Sequence, residues 1–371
     1  MRKREGAMKD KARAYSRERH ILALINMVLL PTALSLFLIT GVAGYLKYVA
    51  LKISANEYID LAVFSGLMSM ALYIVTLPAN YYGGFALEHK YSLSNQKLSD
   101  WIKRELKRLS LTLLISIPFV LSLYMSLKYY PLQWWLVTAL TWFFISVLIA
   151  KFMPVIIVPL FYKYTPLKNG SLKDRIVKLA EKTGFKARGV YEIDLSKDTK
   201  KANAAVMGMG RHKRIVLCDT LLKNFTDDEI ELVMGHELGH HKMRHILKLM
   251  LFSGGSTILI FYIASIAFLK FHAILNYMLL HDFESLVLIY AIVSILNIFI
   301  LPLSNAYSRK LEKDADRFAL KVTANKPAFI STMKKLAEQN LIDTAPGKFY
   351  EIMLYDHPPI SRRLEFAEKS K

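Results

Sequence analysis

The chain has 371 residues, 53% of them apolar and 12% aromatic, and its formal charge is +20. The apolar residues gather in long uncharged runs. That pattern excludes an ordinary set of soluble domains and indicates a polytopic membrane protein with a modest soluble part.

Cys218 is the only cysteine, so an internal disulfide and a thiolate metal cluster are both excluded. A single-stranded nucleic-acid binder would interleave basic and aromatic residues on one soluble face. No such pattern is present. The basic residues lie between the apolar runs, where they suit anionic lipid headgroups and set topology.

Met1 to His20 carries eight Lys or Arg and leads into the uncharged run Ile21–Leu46. That run is too long for a typical signal-peptide core and predicts a retained first helix. Five more runs are long enough to cross a bilayer, which takes about 20 residues of helix. They are Leu61–Leu87, Leu109–Leu127, Tyr129–Ala150, Leu249–Leu269 and Ser285–Ser308. Tyr129–Ala150 follows so short a turn that a re-entrant helix is its competing reading. Residues 88–108 hold six Lys or Arg, whereas the opposite loops hold Lys47, Lys52, Lys128 and Lys270. The positive-inside rule then puts both termini and residues 163–245 in the cytoplasm. The expected organisation is a membrane domain of four crossings (1–162), a cytoplasmic segment (163–245), two further crossings (246–308) and a cytoplasmic helical segment (309–371).

In the cytoplasmic parts, Leu172–Gly184 reads as a helix. Val190–Leu195, Ala204–Met209 and Arg214–Cys218 read as strands, with β-branched and apolar residues between polar turns. Thr226 and Glu229 have capping-box spacing and predict a helix start. That helix is expected to run on toward the fifth crossing. Arg309–Val322 is helical in pattern.

The helix from Thr226 carries His236-Glu237-Leu238-Gly239-His240. Residues i and i+4 share a helix face, so both imidazoles can meet one zinc ion. Glu237 is turned about 100° from His236, which leaves it to act on water as a base. This is the H-E-x-x-H metalloprotease arrangement. A catalytic zinc needs three protein ligands and one open position. Glu312 and Asp316, again i and i+4, supply the candidates. Glu312 can bind the metal, and Asp316 can accept a hydrogen bond from a ligand imidazole and orient it. A solvated acidic face opposing Lys310 and Lys313 is the competing reading. His241 and His245 are read as non-ligands, because the i, i+4 pair is already in use.

Four blocks in order then resemble the type-1 CAAX prenyl protease family, over about residues 60 to 366. One is Leu77-Pro78 with Glu88-His89-Lys90-Tyr91-Ser92-Leu93-Ser94-Asn95-Gln96. Another runs from Pro159 to Leu167. A third is Asn203-Ala204 and Arg214 to Leu222, leading into His236–His240. The last runs from Ser308 to Asp316 and on to His357-Pro358-Pro359.

The resemblance implies one zinc held by His236, His240 and Glu312, with Glu237 as general base. It implies that Asn203 holds the substrate backbone. It also implies that His357 and Arg363 lie by the scissile bond, where they can stabilise a developing oxyanion. Asn203 as a turn residue, His357-Pro358-Pro359 as a rigid turn, and neighbouring Arg362 in place of Arg363 are the alternatives. The chain departs from the family pattern at Ala205, His241 and Arg244, and it has six crossings where the family generally has seven.

The expected fold is mainly α: a polytopic helical membrane protein enclosing a cavity, with a cytoplasmic zincin-like α+β catalytic part. The expected activity is that of a zinc metalloendopeptidase cutting membrane-associated or unfolded polypeptide tails, prenylated or not. A membrane quality-control protease shares that chemistry. A non-catalytic scaffold or translocation-channel clearance factor has no need of Glu237. The expected partners are substrate and the bilayer, with no nucleic acid and a monomeric state.

Overall fold

The computed structural model describes residues 2–168, 170–208, 213–275 and 279–369. Helix α1 (Arg2–Ile39) joins the charged N-terminal segment and the first apolar run in one piece. Its basic half is docked: Ala12 and Tyr15 pack with Leu87, Tyr91, Leu93 and Leu341. The run expected to end at Leu46 stops earlier. Gly41 turns the chain at φ +79, a conformation that glycine adopts at little cost, and α2 (Val42–Ala50) follows.

Helix α3 (Glu57–Tyr81) is capped by Asn56, whose Oδ1 accepts from Tyr58 N at 2.9 Å. It continues through a π-helical turn, Tyr82–Ala86, into α4 (Leu87–Lys90). Next come α5 (Leu98–Tyr129) and α6 (Trp134–Phe152). A second π-helical turn extends α6 into α7 (Val158–Phe161). The stretch Trp134–Phe161 therefore has the length of a crossing. The soluble part holds α8 (Gly170–Lys182), α9 (Asp219–Asn224) and α10 (Asp227–Lys242). Two more long helices, α11 (His245–Ile274) and α12 (Phe283–Thr323), precede α13 (Lys326–Gln339), α14 (Lys348–Leu354) and α15 (Ile360–Lys369). Among the described residues, six helices are long and apolar enough to cross a membrane, as expected.

Two helices differ from the expected course. The chain does not pass smoothly from the histidine motif into the fifth crossing. It breaks after Lys242, and Arg244 adopts φ 55 before α11 starts. Conversely, the sixth crossing and the acidic helix are a single element. With 41 residues, α12 is roughly 60 Å long. Glu312 and Asp316 therefore sit on the same helix as the sixth apolar run.

The membrane-side core is built around Phe64, Tyr124, Trp134, Phe261 and Phe268. A space of about 630 Å³ lies between α1, α11 and α12, with Asn26, Ser253, Ser256, Thr257, Ser294 and Asn297 on its walls. Polar groups at membrane depth must face protein or water, and this cavity lets them do so.

The soluble part contains four strands: β1 (Tyr164–Pro166), β2 (Val190–Ile193), β3 (Ala204–Met207) and β4 (Arg214–Cys218). The order is β1-β2-β4-β3, with β2 parallel to β4 and the other pairs antiparallel. Three-residue β1 is too short to leave a sequence pattern. Leu195 belongs to a 3₁₀ turn rather than to β2. Met209, expected at the end of β3, lies outside the described residues. Strand β3 pairs with β4 on one side and is the sheet's edge on the other.

Candidate metal centre

The motif helix α10 is fixed at its start. Thr226 N donates to Glu229 Oε2 at 2.8 Å, and Glu229 N donates to Thr226 Oγ1 at 3.4 Å, completing the capping box. Burial alone would raise the Glu229 carboxyl. Lys335 at 2.7 Å, Ser331 and the Thr226 N–H outweigh it and hold the group below its ordinary range. Leu232, Met234 and Leu238 are buried, while His236 and His240 are only partly so.

Two glycines let α10 lie close against α12. A Cβ on Gly235 would meet Thr323 Cγ2 and Val322 Cγ1 at 3.3 Å, and one on Gly239 would meet Phe318 Cδ1 at 3.0 Å. This close approach brings Glu312 and Asp316 to the histidines. The separations are 3.1 Å for His236 Nε2 to His240 Nε2, 3.2 Å for His236 Nε2 to Glu312 Oε2, and 3.2 Å for His240 Nε2 to Glu312 Oε1.

These atoms fit a metal ion. Ligands about 2.05 Å from a tetrahedral zinc stand about 3.3 Å from each other, close to the three observed edges. Glu312 is 5% exposed, and its Oε2 has no properly aligned hydrogen-bond partner among the described residues despite its two nearby nitrogens. Burial disfavours a charged His236 ring, yet Asp316 and Glu312 outweigh burial and push its pKa up to about 10. The carboxylates thus favour positive charge at this point, which suits a divalent cation.

The surrounding side chains orient the donors. Asp316 Oδ1 lies 2.9 Å from His236 Nδ1. Arg363 donates to Asp316 through Nε at 2.8 Å and Nη2 at 2.6 Å. This two-pronged pairing fixes the plane of the carboxylate. His357 places Nε2 3.2 Å from Glu312 Oε2 and Nδ1 2.8 Å from Asp356 Oδ1. Arg362 points elsewhere and pairs with Glu351 at 2.7 Å.

Asn203 stands at the start of edge strand β3, and Cys218 N donates to its carbonyl at 3.1 Å. A cavity of about 350 Å³ has Asn203, His236, Glu237, Asp316, His357 and Arg363 on its walls. With His240 and Glu312 in the donor set, all eight expected site residues come to one place. His241 is directed away, edge-on against Phe185 at 4.6 Å between centroids.

Two contacts escaped the sequence reading. Asn340 Oδ1 accepts from Ala202 N at 2.9 Å and its Nδ2 donates to Ala202 O at 3.3 Å, bracing the backbone before Asn203. His245 places Nδ1 3.1 Å from His240 Nδ1. Asn340 left no signal in the sequence, being remote and isolated. His245 was visible as an imidazole, but its contact depends on the break at Arg244.

Residues 166–371 match the family described as Peptidase family M48, and residues 6–163 match one described as CAAX prenyl protease N-terminal, five membrane helices. A Bacillus subtilis (strain 168) protein named uncharacterized metalloprotease YhfN is 31% identical, covering 97% of this chain and 85% of its own. A CAAX prenyl protease 1 homolog of Oryza sativa subsp. japonica is 29% identical over 84% of this chain and 74% of its own. The crystal structure of S. mikatae Ste24p is similar to this fold with a TM-score of 0.87. It is 26% identical, covering 98% of this chain and 89% of that one.

Proposed function

Because the chain belongs to peptidase family M48 and is a multi-pass membrane metallopeptidase resembling the CAAX prenyl proteases, we propose that it is a zinc endopeptidase for flexible protein tails at the membrane surface. One observation carries the zinc assignment: His236, His240 and Glu312 converge with the edges of a tetrahedral zinc site. The chemistry zinc supplies when bound there is Lewis acidity, which polarises the scissile carbonyl and lowers the pKa of the attacking water toward about 7.

The chain's own groups do the rest. Glu237 takes the water's proton and passes it to the leaving amine. Asn203 offers an amide that can both donate to and accept from a peptide backbone. A substrate strand can extend the sheet at β3, whose far edge pairs with no strand among the described residues. His357 Nε2 and the Arg363 Nη1, which lies outside the Asp316 pair, are donors for the developing oxyanion. Asp316 holds His236, and Arg363 in turn holds Asp316.

The substrate side of the proposal is a tail tethered in or near the bilayer, prenylated or not, met by a monomer whose termini and metal site face the cytoplasm. The basic residues of 1–20 and 88–108 support that orientation. Metal analysis of the purified protein, beside cleavage of one peptide in farnesylated and unfarnesylated forms, tests this reading. About one zinc per chain and cleavage of either peptide are expected. Protein free of zinc, or cleavage that persists after chelation, removes it.

A further inference from the structure

His245 is fully buried, at 0% exposure. Its Nδ1 lies 3.1 Å from Nδ1 of His240, and the rings meet edge to face with centroids 5.0 Å apart. Its other nitrogen, Nε2, is buried with no hydrogen-bond partner among the described residues. On an unbroken helix, residues five apart point about 140° away from each other. The break between α10 and α11 changes that. Arg244 takes φ 55, a left-handed conformation that strains any residue but glycine, and the turn brings His245 onto the back of His240.

We propose that His245 is a positioning residue for the metal centre: its Nδ1 accepts the Nδ1–H of His240 and fixes the tautomer in which His240 Nε2 carries its lone pair. The inference rests on the reading of His240 as a ligand. A neutral imidazole has one N–H and one lone pair, and a single proton lies between the two facing Nδ1 atoms. With that proton on His245, neutral His240 keeps its own proton on Nε2, where it blocks metal binding. With that proton on His240, its Nε2 is a ligand and His245 carries its N–H on Nε2. The hydrogen bond at one ring nitrogen thus decides what the other can bind.

The two ligand histidines are therefore backed differently. His236 leans on the carboxylate of Asp316, itself held by Arg363. His240 leans on a neutral ring. A second carboxylate in that place would add negative charge beside the donor set and weaken the Lewis acid. A neutral acceptor orients His240 without that effect.

The test uses full-length protein loaded with Co²⁺, with affinity read by chelator competition and geometry read by the visible absorption bands. His245→Leu keeps the bulk and removes the acceptor; His245→Asn can return an acceptor oxygen near the Nδ1 position. The Leu variant is expected to bind cobalt about 10–100-fold more weakly with altered bands, and the Asn variant to recover most of the loss. A Leu variant with wild-type affinity and spectrum overturns the role of His245 alone. Equal loss in both variants also overturns it, since only packing then matters. Wild type that takes up no cobalt overturns this inference together with the metal reading. Nitrogen-15 histidine NMR of metal-loaded wild type decides the matter if a variant fails to fold. Protonated Nδ1 on His240 and bare Nδ1 on His245 are expected, and the reverse overturns the proposal.

Discussion

Gly239 and Phe318 lie in contact across the two helices that bear the metal donors: a Cβ on the glycine would stand 3.0 Å from Phe318 Cδ1 and 3.3 Å from its Cβ. The close approach therefore leaves room for no more than a methyl group one residue before His240. Alanine here gains about 1 kcal/mol of helix propensity and needs only a small shift of Phe318. Gly239→Val adds two branches with no room. It is expected to cost about 1–3 kcal/mol as overpacking and to push α12 away, carrying Glu312 from the histidines. Metal retention after dialysis reads the effect. A valine variant that keeps its full metal content contradicts the close-packing account.

Metal binding and proton transfer separate at neighbouring residues. His236→Ala is expected to lose the metal, because one of the three donors is gone. Glu237→Gln is expected to keep the metal and lose turnover by about 10²–10⁴-fold, since an amide cannot take the water's proton. Metal content and peptide cleavage, measured on the same preparations, check both. Near-normal turnover in Glu237→Gln removes it as the base.

Much of this site was legible because helical spacing is local. His236 and His240 needed only the i, i+4 rule, as did Glu312 and Asp316. Their meeting is a tertiary fact, made possible by Gly235 and Gly239 and by a 41-residue α12 that runs on past its crossing. The chain pattern marked the apolar part of α12 and its acidic end as separate segments, because hydropathy changes there while the backbone does not. The reverse failure occurred after His240. Nothing in the residues Met243-Arg244 announces a helix break, since arginine is a sound helix former; the left-handed turn is imposed by packing. Strand β1 was missed for want of length, and the brace of Asn340 on Ala202 for want of any local pattern.

Glu229 gives the motif helix α10 a pH-dependent anchor. Its folded pKa is depressed: burial acts upward, but Lys335, Ser331 and the Thr226 N–H act downward and prevail. A depressed carboxyl stabilises the fold above the unfolded-state value, about 4.3, and that contribution fades as pH falls through the folded value. An amide at this position can keep the cap but cannot make the charge-assisted bond to Lys335, so Glu229→Gln is expected to lower stability at pH 7 by about 1.5–3 kcal/mol. The gap to wild type should close at acidic pH. Thermal unfolding of both proteins from pH 7 to pH 3 measures it. A gap that widens in acid would falsify the anchor.

The orientation is expected to follow the charge distribution. Fourteen Lys or Arg (8 + 6) lie in residues 1–20 and 88–108, against Lys47, Lys52, Lys128 and Lys270 on the other side. Cys218 is buried, and a Cys218→Ser background allows single cysteines to be placed at will. Gly170→Cys is expected to react with an impermeant thiol reagent only when the cytoplasmic face is opened. Labelling from outside intact cells inverts the topology.

Access to the metal centre should select for unfolded substrate. The cavity beside Glu237 measures about 350 Å³, room for a few side chains and not for a folded domain. The backbone contacts on offer are those of an edge strand, β3, and the amide of Asn203, which suit an extended chain. A second, polar-walled space lies between α1, α11 and α12. A cleavable sequence inside a stable fold must first open. A fold worth about 5 kcal/mol is open in about one molecule in several thousand. The same sequence in a disordered tail has no such barrier. Cleavage of the folded version is therefore expected to be slower by about 10³-fold or more, and to recover when destabilising mutations are added to that fold. The comparison needs one sequence in two contexts, with a stability series for the folded one. Equal rates in tail and fold, unchanged across the series, mean that the site is open enough to take folded protein.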